Sequence, residues 1–332
     1  MNKFKKYNKC IYCGSKKIIK EKKQYFPSNF YLKAIKSDLS ISENEFRKIK
    51  VFRCNNCFIL QNNPWFSETV SHKIYSNIYG QHNKGWSNMI SFFKEGKLPN
   101  HGKLFELLDK RIKIKNYAEF NSPFMGLFLN FFAKEYKKNN TFYKQIMQNI
   151  IGYLSSRQVA GRTKKIQKES ELKSKLFLNK IIYLKNKNKI RKHVNKFLFI
   201  DNSSLCWGQN DNYKSVNSKS FASEAFDLKT LDIEKNYEKI NIDLFGIFLT
   251  LDHTFEPSKI LNFGLNTSKY VIINCHIDPK LNKQHLFSLT KDFLRYLNKN
   301  KIYTLDLTNK IEKKLKSPEL YFLCSRKKIM NI

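Results

Sequence analysis

No stretch of this chain reaches the ~18 consecutive apolar residues that a membrane-spanning helix needs. The longest apolar run, Phe124 to Ala133, is broken by Asn130 and is too short to cross a bilayer. The segment Met1 to Tyr7 is positively charged but has no apolar core behind it, which argues against a signal peptide and for a cytoplasmic protein. No P-loop, no His-Glu-x-x-His metalloprotease motif and no Ser-His-Asp order is present, so the hydrolase and nucleotidase classes that carry those signatures are excluded. Acidic residues are scarce, 27 against 62 Lys and Arg, giving a formal net charge of +35. Arginine is scarcer still, eight of those 62. A field of that sign attracts polyanions, but Arg rather than Lys is the planar, bidentate reader of bases and phosphates. The chain is also heavy in Asn, Ile and Phe, a composition that A+T-rich codons generate by themselves. A solvated lysine coat therefore accounts for much of the charge, and nucleic acid is disfavoured as a partner.

What remains is enough for a folded, multi-part protein. At 332 residues, 41% hydrophobic and 14% aromatic, the chain can bury a substantial core and fits two domains. Seven cysteines include two Cys-x-x-Cys pairs, Cys10/Cys13 and Cys54/Cys57, a pattern of metal binding in a reducing compartment rather than of a disulfide framework. In Cys10-Ile-Tyr-Cys13-Gly14 the glycine is free to take the positive φ that turns both sulfurs toward one ion. Cys54-Asn-Asn-Cys57 follows a strand-like stretch, Ile49 to Arg53. Four thiolates fill a tetrahedron and leave no open position, so zinc at Cys10, Cys13, Cys54 and Cys57 would be structural. A module of this size would depend on the ion to fold.

Residues 1–70 thus read as a zinc-ribbon-like module and 71–115 as a helical connector. In the connector Trp86, Met89, Ile90 and Phe93 form one stripe, Pro99 to Gly102 a break, and Leu104, Leu107, Leu108 and Ile112 a second helix face. Residues 116–332 alternate strand and helix signals, which predicts a parallel, helix-flanked sheet. The expected strands are Asn116–Phe120, Phe197–Asp201, Asp243–Thr250, Tyr270–Cys275, Ile302–Asp306 and Tyr321–Cys324, with helices at Phe124–Lys137, Pro257–Leu265 and Leu289–Asn298. Between the first two strands, residues 133–196 carry 18 Lys and Arg against three Glu, 15 of the 35 net charges, and read as a basic helical insertion. It is either a solvated surface or a docking face for an acidic partner.

Three stretches taken together resemble the class I S-adenosylmethionine-dependent methyltransferases that carry an N-terminal zinc-binding domain and methylate nucleotide-linked sugars. The first is the paired knuckles, with Cys57 leading into Phe58 to Gln61 and Pro64. The second is Ile242 to Pro257, similar to the fourth strand of that fold followed by Leu251-Asp252-His253 and a Glu256-Pro257 helix start. The third is Lys283 to Leu297, similar to the late His-x-Phe-Ser segment of the family and carrying His285, Phe287 and Ser288. The resemblance implies an α/β fold: a Rossmann-like class I methyltransferase sheet behind the zinc module. It also implies S-adenosylmethionine as cofactor, held at Glu119, Asn121 and Gly126 of the first strand-to-helix loop. Asp201 would accept from the ribose hydroxyls, and Asp227 would lie near the adenine. The family's glycine-rich loop is reduced here to Glu119-Phe-Asn121-Ser-Pro123-Phe124-Met-Gly126. Asn121 can take a left-handed conformation, whereas Pro123 has no N–H to offer.

Transfer of a methyl group needs alignment and a base where the nucleophile carries a proton. His253 is the first candidate base, because an unperturbed imidazole titrates near neutral pH. His276 and His285 are the alternatives, and Asp252 is placed to orient. Three readings follow from the sequence. The leading one is methyl transfer to a sugar or nucleotide-sugar in surface polysaccharide biosynthesis. The second is a catalytically inactive methyltransferase-like zinc-binding scaffold. The third is an RNA methyltransferase.

Overall fold

The computed structural model of the chain describes residues 2–22, 41–73, 101–112, 114–120, 127, 196–201, 229–232, 242–249, 251–277, 285–311 and 319–329. The expected helix Phe124–Lys137, the Trp86 to Phe93 stripe and almost all of the basic insertion lie outside the described residues.

The N-terminal part is built from short elements: β1 (Phe4–Lys5), β2 (Ile18–Lys20), α1 (Glu43–Arg47), β3 (Lys50–Cys54), β4 (Leu60–Asn63), β5 (Trp65–Phe66) and α2 (Glu68–Lys73). Strands β2, β3 and β4 form an antiparallel meander, and β1 pairs separately with β5. All four residues of β4 are buried although three of them are amides. Burial of amides is tolerated where their groups are bonded, and here most are, Asn62 Oδ1 being the exception. Gln61 Oε1 accepts from Ile11 N at 2.9 Å. Asn63 Oδ1 accepts from Tyr7 N at 2.9 Å, and its Nδ2 donates to Tyr7 O at 2.7 Å. Gln61 and Asn63 share one side of the strand, as the period of two requires, and they brace the chain that carries the first knuckle.

The remaining elements are α3 (His101–Ile112), β6 (Asn116–Phe120), β7 (Lys196–Asp201), β8 (Lys229–Asp232), β9 (Ile242–Phe248), α4 (Pro257–Thr267), β10 (Ser268–His276), β11 (Phe287–Ser288), α5 (Asp292–Lys299), β12 (Tyr303–Asp306), α6 (Thr308–Ile311) and β13 (Glu319–Ser325). Seven of them form one sheet in the order β12-β13-β10-β9-β6-β7-β8. Strands β8, β7, β6, β9 and β10 are mutually parallel, whereas β13 runs antiparallel to both β10 and β12. The sheet is therefore mixed rather than wholly parallel. The reversed strand β13 is inserted between β10 and β12, so that it has an antiparallel neighbour on each side. Helix α3 starts at His101, where the second helix was expected after Pro99 and Asn100, and Leu104, Phe105 and Leu108 are its buried residues.

Strand β9 is buried at all seven positions, Ile242 to Phe248, as expected of a central strand covered on both faces. Pro257 stands at the first turn of α4, whose buried residues Ile260, Leu261, Gly264 and Leu265 face the sheet. Helix α5 buries Phe293 and Leu297 one turn apart.

The amino ends of three parallel strands meet at Asp243. Its Oδ2 accepts from the backbone amides of Lys115 and Asn116 at 3.0 and 2.9 Å, and its Oδ1 takes the Lys269 ammonium at 2.6 Å. Burial works to raise the pKa of this carboxyl, but the Lys269 bond and the two amides outweigh it and hold it below the ordinary carboxylate range. A carboxyl whose pKa is depressed on folding stabilises the fold above its unfolded-state value and loses that contribution as pH falls through the folded-state value. Asp243→Asn is therefore expected to lower stability at neutral pH by about 1–2 kcal/mol and to flatten the acid limb of the stability profile below about pH 4. Denaturant unfolding across pH checks this, and equal stability of variant and parent at pH 7 would contradict it.

Candidate functional site

The four cysteines of the two knuckles come together. Their Sγ atoms all lie within 4.8 Å of one another, with Cys10 and Cys57 at 3.5 Å and Cys13 and Cys54 at 3.6 Å. Cys10, Cys54 and Cys57 are buried and Cys13 is partly so. The knuckles repeat each other bond for bond. Cys10 N donates to Ser15 O and Gly14 N to Cys10 O; Cys54 N donates to Ile59 O and Phe58 N to Cys54 O. The fifth residue of each has left-handed backbone, φ 68° at Gly14 and φ 64° at Phe58. The first was legible in the sequence and the second was not, because phenylalanine gives no glycine signal there. Aligning Cys13-Gly14 with Cys57-Phe58 would have found it.

The electrostatics of the cluster ask for a cation. The shared hydrogen bond holds the Cys10 thiol below its ordinary range, and the same bond together with burial pushes Cys57 far above it. The pair thus favours one negative charge and resists a second. Backbone amides of Asn56 and Cys57 point at Cys54 Sγ at 3.4 and 3.5 Å, and Asn56 Nδ2 reaches Cys13 Sγ at 3.5 Å. Separations of this size are the edges of a tetrahedron with metal–sulfur bonds of about 2.3 Å. The donor set fits a divalent metal.

The second group of sequence-predicted residues lies along the carboxyl edge of the sheet. The strand order reverses between β6 and β9, and open α/β sheets bind their ligands outside the carboxyl ends at such a point. Glu119 occupies β6 opposite Gly246, and Asp201 ends β7 opposite Asp232 of β8. Asn121, Gly126 and Asp227 lie outside the described residues. Gly246 is there for space: a Cβ would meet Phe248 Cε2 at 2.5 Å and the Tyr117 hydroxyl at 2.6 Å. That hydroxyl accepts from Leu127 N at 3.4 Å.

Asp252 and His253 fall not on β9 itself but in the single 3-10 turn Leu251–His253 that follows it. Asp252 is 1% exposed. His276 is the last residue of β10, and His285 stands two residues before β11. The structure brings these three together: Asp252 Oδ2 lies 3.6 Å from His276 Nδ1 and 3.5 Å from His285 Nδ1, and the two imidazoles stack at 5.2 Å. Of His253 only its backbone place in the turn is described.

What the sequence did not reveal is how the two groups are joined. Strand β11 adds to the edge of β4, with Phe287 opposite Gln61 and Ser288 opposite Leu60. Asn62 N donates to Leu286 O at 2.9 Å and Asn62 Nδ2 to His285 O at 2.7 Å. Thr290 Oγ1 donates to Phe58 O at 2.9 Å, inside the second knuckle. Tyr12, inside the first, packs edge-on against Phe293 of α5 at 4.8 Å. Two-residue strands carry no periodicity to read.

No family profile matches the chain, and no curated protein matches it by sequence. Among solved structures it is similar to an S-adenosylmethionine-dependent methyltransferase from Clostridium acetobutylicum, at 8% identity and TM-score 0.38, over 72% of this chain and 97% of that one. It is similar to the N-terminal domain of EvdMO1, solved in the presence of SAH and D-fucose, at 8% identity and TM-score 0.34, over 68% of this chain and 82% of that one. It is also similar to the cyclase SpnF, at 8% identity and TM-score 0.29, over 63% of this chain and 61% of that one. These likenesses are too distant to carry a function to this chain.

The knuckle geometry gives a direct test. No atom lies within 4 Å of a Cβ built at Gly14, so any effect of Gly14→Ala comes from its φ of +68°. The variant is expected to lose about 1–2 kcal/mol of stability in denaturant unfolding, with its metal content unchanged. Unchanged stability would contradict the left-handed turn.

Proposed function

We propose that this protein is a zinc-containing, S-adenosylmethionine-dependent methyltransferase whose acceptor is a sugar or nucleotide-sugar of surface polysaccharide biosynthesis. The observation that carries the reading is the shared edge. Asp201 at the end of β7, the reversal between β6 and β9, and the Asp252-His253 turn after β9 all lie at the carboxyl ends of parallel strands. An acid at the end of the second strand is where open α/β sheets accept from a ribose hydroxyl. The motif resemblance supports the class, and the sheet order, with its reversed chain-terminal strand, fits the fold which that resemblance implies.

In this reading Asp201 accepts from the ribose hydroxyls of the cofactor, and Glu119, Asn121, Gly126 and Asp227 complete its seat. The cofactor, when bound, supplies an electrophilic methyl group on a sulfonium. His253, in the turn beyond β9, takes the proton of the attacking group. Zinc is held by Cys10, Cys13, Cys54 and Cys57, where the four-sulfur set leaves no position for chemistry. Its role is to hold the module against the sheet. No helix among the described residues is long and apolar enough to cross a membrane, in keeping with a small-molecule acceptor met in solution. The sugar class itself rests on the motif resemblance, and the basic insertion is left as a place for an acidic partner.

Calorimetric titration of the zinc-loaded protein with S-adenosylhomocysteine tests this reading. Micromolar binding is expected, weakened by more than about tenfold in Asp201→Ala through loss of charge-assisted hydrogen bonds. A well-folded parent that does not bind overturns it and leaves the zinc-binding scaffold. The zinc assignment has its own check: one tightly held ion per chain is expected in the Cys54→Ser-sensitive site, and a metal-free, folded parent would contradict it.

A further inference from the structure

We infer that Asp252, His276 and His285 form a second metal site, a two-histidine, one-carboxylate centre for a divalent transition ion with an open coordination position. This assignment is independent of the methyltransferase reading and takes three of the candidate acid–base residues out of that role.

The distances decide between the two uses of such a group. A charge-assisted N–H···O bond between imidazole and carboxylate spans about 2.7–2.9 Å. Here the Nδ1–Oδ2 separations are 3.6 and 3.5 Å, and in both contacts the same carboxylate oxygen is the near one. That is too long for an orienting hydrogen bond. Ligand atoms about 2.0–2.1 Å from a tetrahedral zinc-like ion stand roughly 3.3–3.4 Å apart, close to what is found. All three donor atoms lie within 4.8 Å of one another. Donor chemistry points the same way, since imidazole with carboxylate suits zinc and other first-row divalent ions.

The backbone is arranged to keep the three donors in place, as a metal site requires of its supporting residues. Asp252 O accepts from Leu286 N at 3.2 Å, His276 O accepts from Ser288 Oγ at 3.3 Å, and His285 O accepts from Asn62 Nδ2 at 2.7 Å. Three chain segments, the turn after β9, the end of β10 and the lead into β11, are thereby tied at the residues that would ligate. The environment also fits. The Asp252 side chain is 1% exposed, so its charge is far from water and a divalent ion would neutralise it. His276 at 29% and His285 at 13% expose the outer parts of their rings, while the three donor groups themselves are buried. Three protein donors leave a fourth position for water or for an oxygen of a bound molecule. In this it differs from the four-sulfur cluster, which is closed.

Metal stoichiometry reads the proposal directly. Protein carrying one zinc per chain in the cysteine cluster is titrated with Co(II) under non-reducing-metal, chelator-free conditions, followed by visible absorption and calorimetry. One further Co(II) per chain is expected, with ligand-field bands of a nitrogen–oxygen site and no thiolate-to-metal charge transfer. His276→Gln and His285→Gln are each expected to weaken that uptake by more than about tenfold, with the zinc in the cysteine cluster retained. Parent protein that takes up no Co(II) beyond exchange at the cysteines overturns the proposal without recourse to any variant. So does uptake that both histidine variants, folded by circular dichroism, leave intact.

Discussion

The Asp252, His276 and His285 group at the carboxyl edge depends on one short backbone pairing, that of β11 with β4. Two residues from near the end of the chain complete the edge of a sheet begun before residue 64, and the closure is long-range in sequence. Strand β4 is suited to this because its alternation sends side chains two ways. Gln61 and Asn63 bond the N-terminal segment that carries the first knuckle. Asn62 bonds His285. A buried strand of amides would be a liability without partners; with bonds made in both directions it works as a connector between the cysteine cluster and a sheet edge.

The large sheet contributes direction. Six of its seven strands run the same way and bring their carboxyl ends to one side, and the amino ends of β6, β9 and β10 are locked at Asp243, which bonds the start of β6 and reaches across to Lys269 on β10. Polar chemistry is therefore segregated. A depressed carboxylate is used for structure at one edge, and Asp252, His276 and His285 collect at the other. Strand β9 between them is apolar over most of its length, apart from Asp243 itself, and buried throughout. A buried acid thus stands near the start of β9 and another in the turn beyond its end.

Much of this was legible in the sequence, and the exceptions have physical causes. The central strands of the sheet are five or more residues long and apolar, so their signal is strong; β6 and β9 were placed to within two residues of their bounds. Strand β8, Lys-Thr-Leu-Asp, offers neither length nor alternation and was missed. The reversed β13 looks like any buried strand, because direction leaves no mark on composition. In the site, the cysteine spacing foretold the cluster and Gly14 its first turn, whereas Phe58 hid the second. Asp252, His276 and His285 were each singled out for chemistry, but as separate candidates. Nothing in a linear spacing of 24 and nine residues says that they converge; strand pairing supplies that.

The two clusters differ in a way that burial and donor type explain. The cysteine cluster is a turn-built site, each half made by local hydrogen bonds within six residues. The Asp-His-His group has no such local half. Its three members come from three segments, and each is held by a bond to the β11 lead or to Asn62 of β4. It is assembled only when the module is docked on the sheet. The same contacts that seat Thr290 on the Phe58 carbonyl and Tyr12 on Phe293 also set where His285 stands. The four-cysteine cluster at the module's centre and the Asp-His-His group at its rim are thus parts of one arrangement, in which the first fixes the frame and the second lies at the carboxyl edge of the sheet.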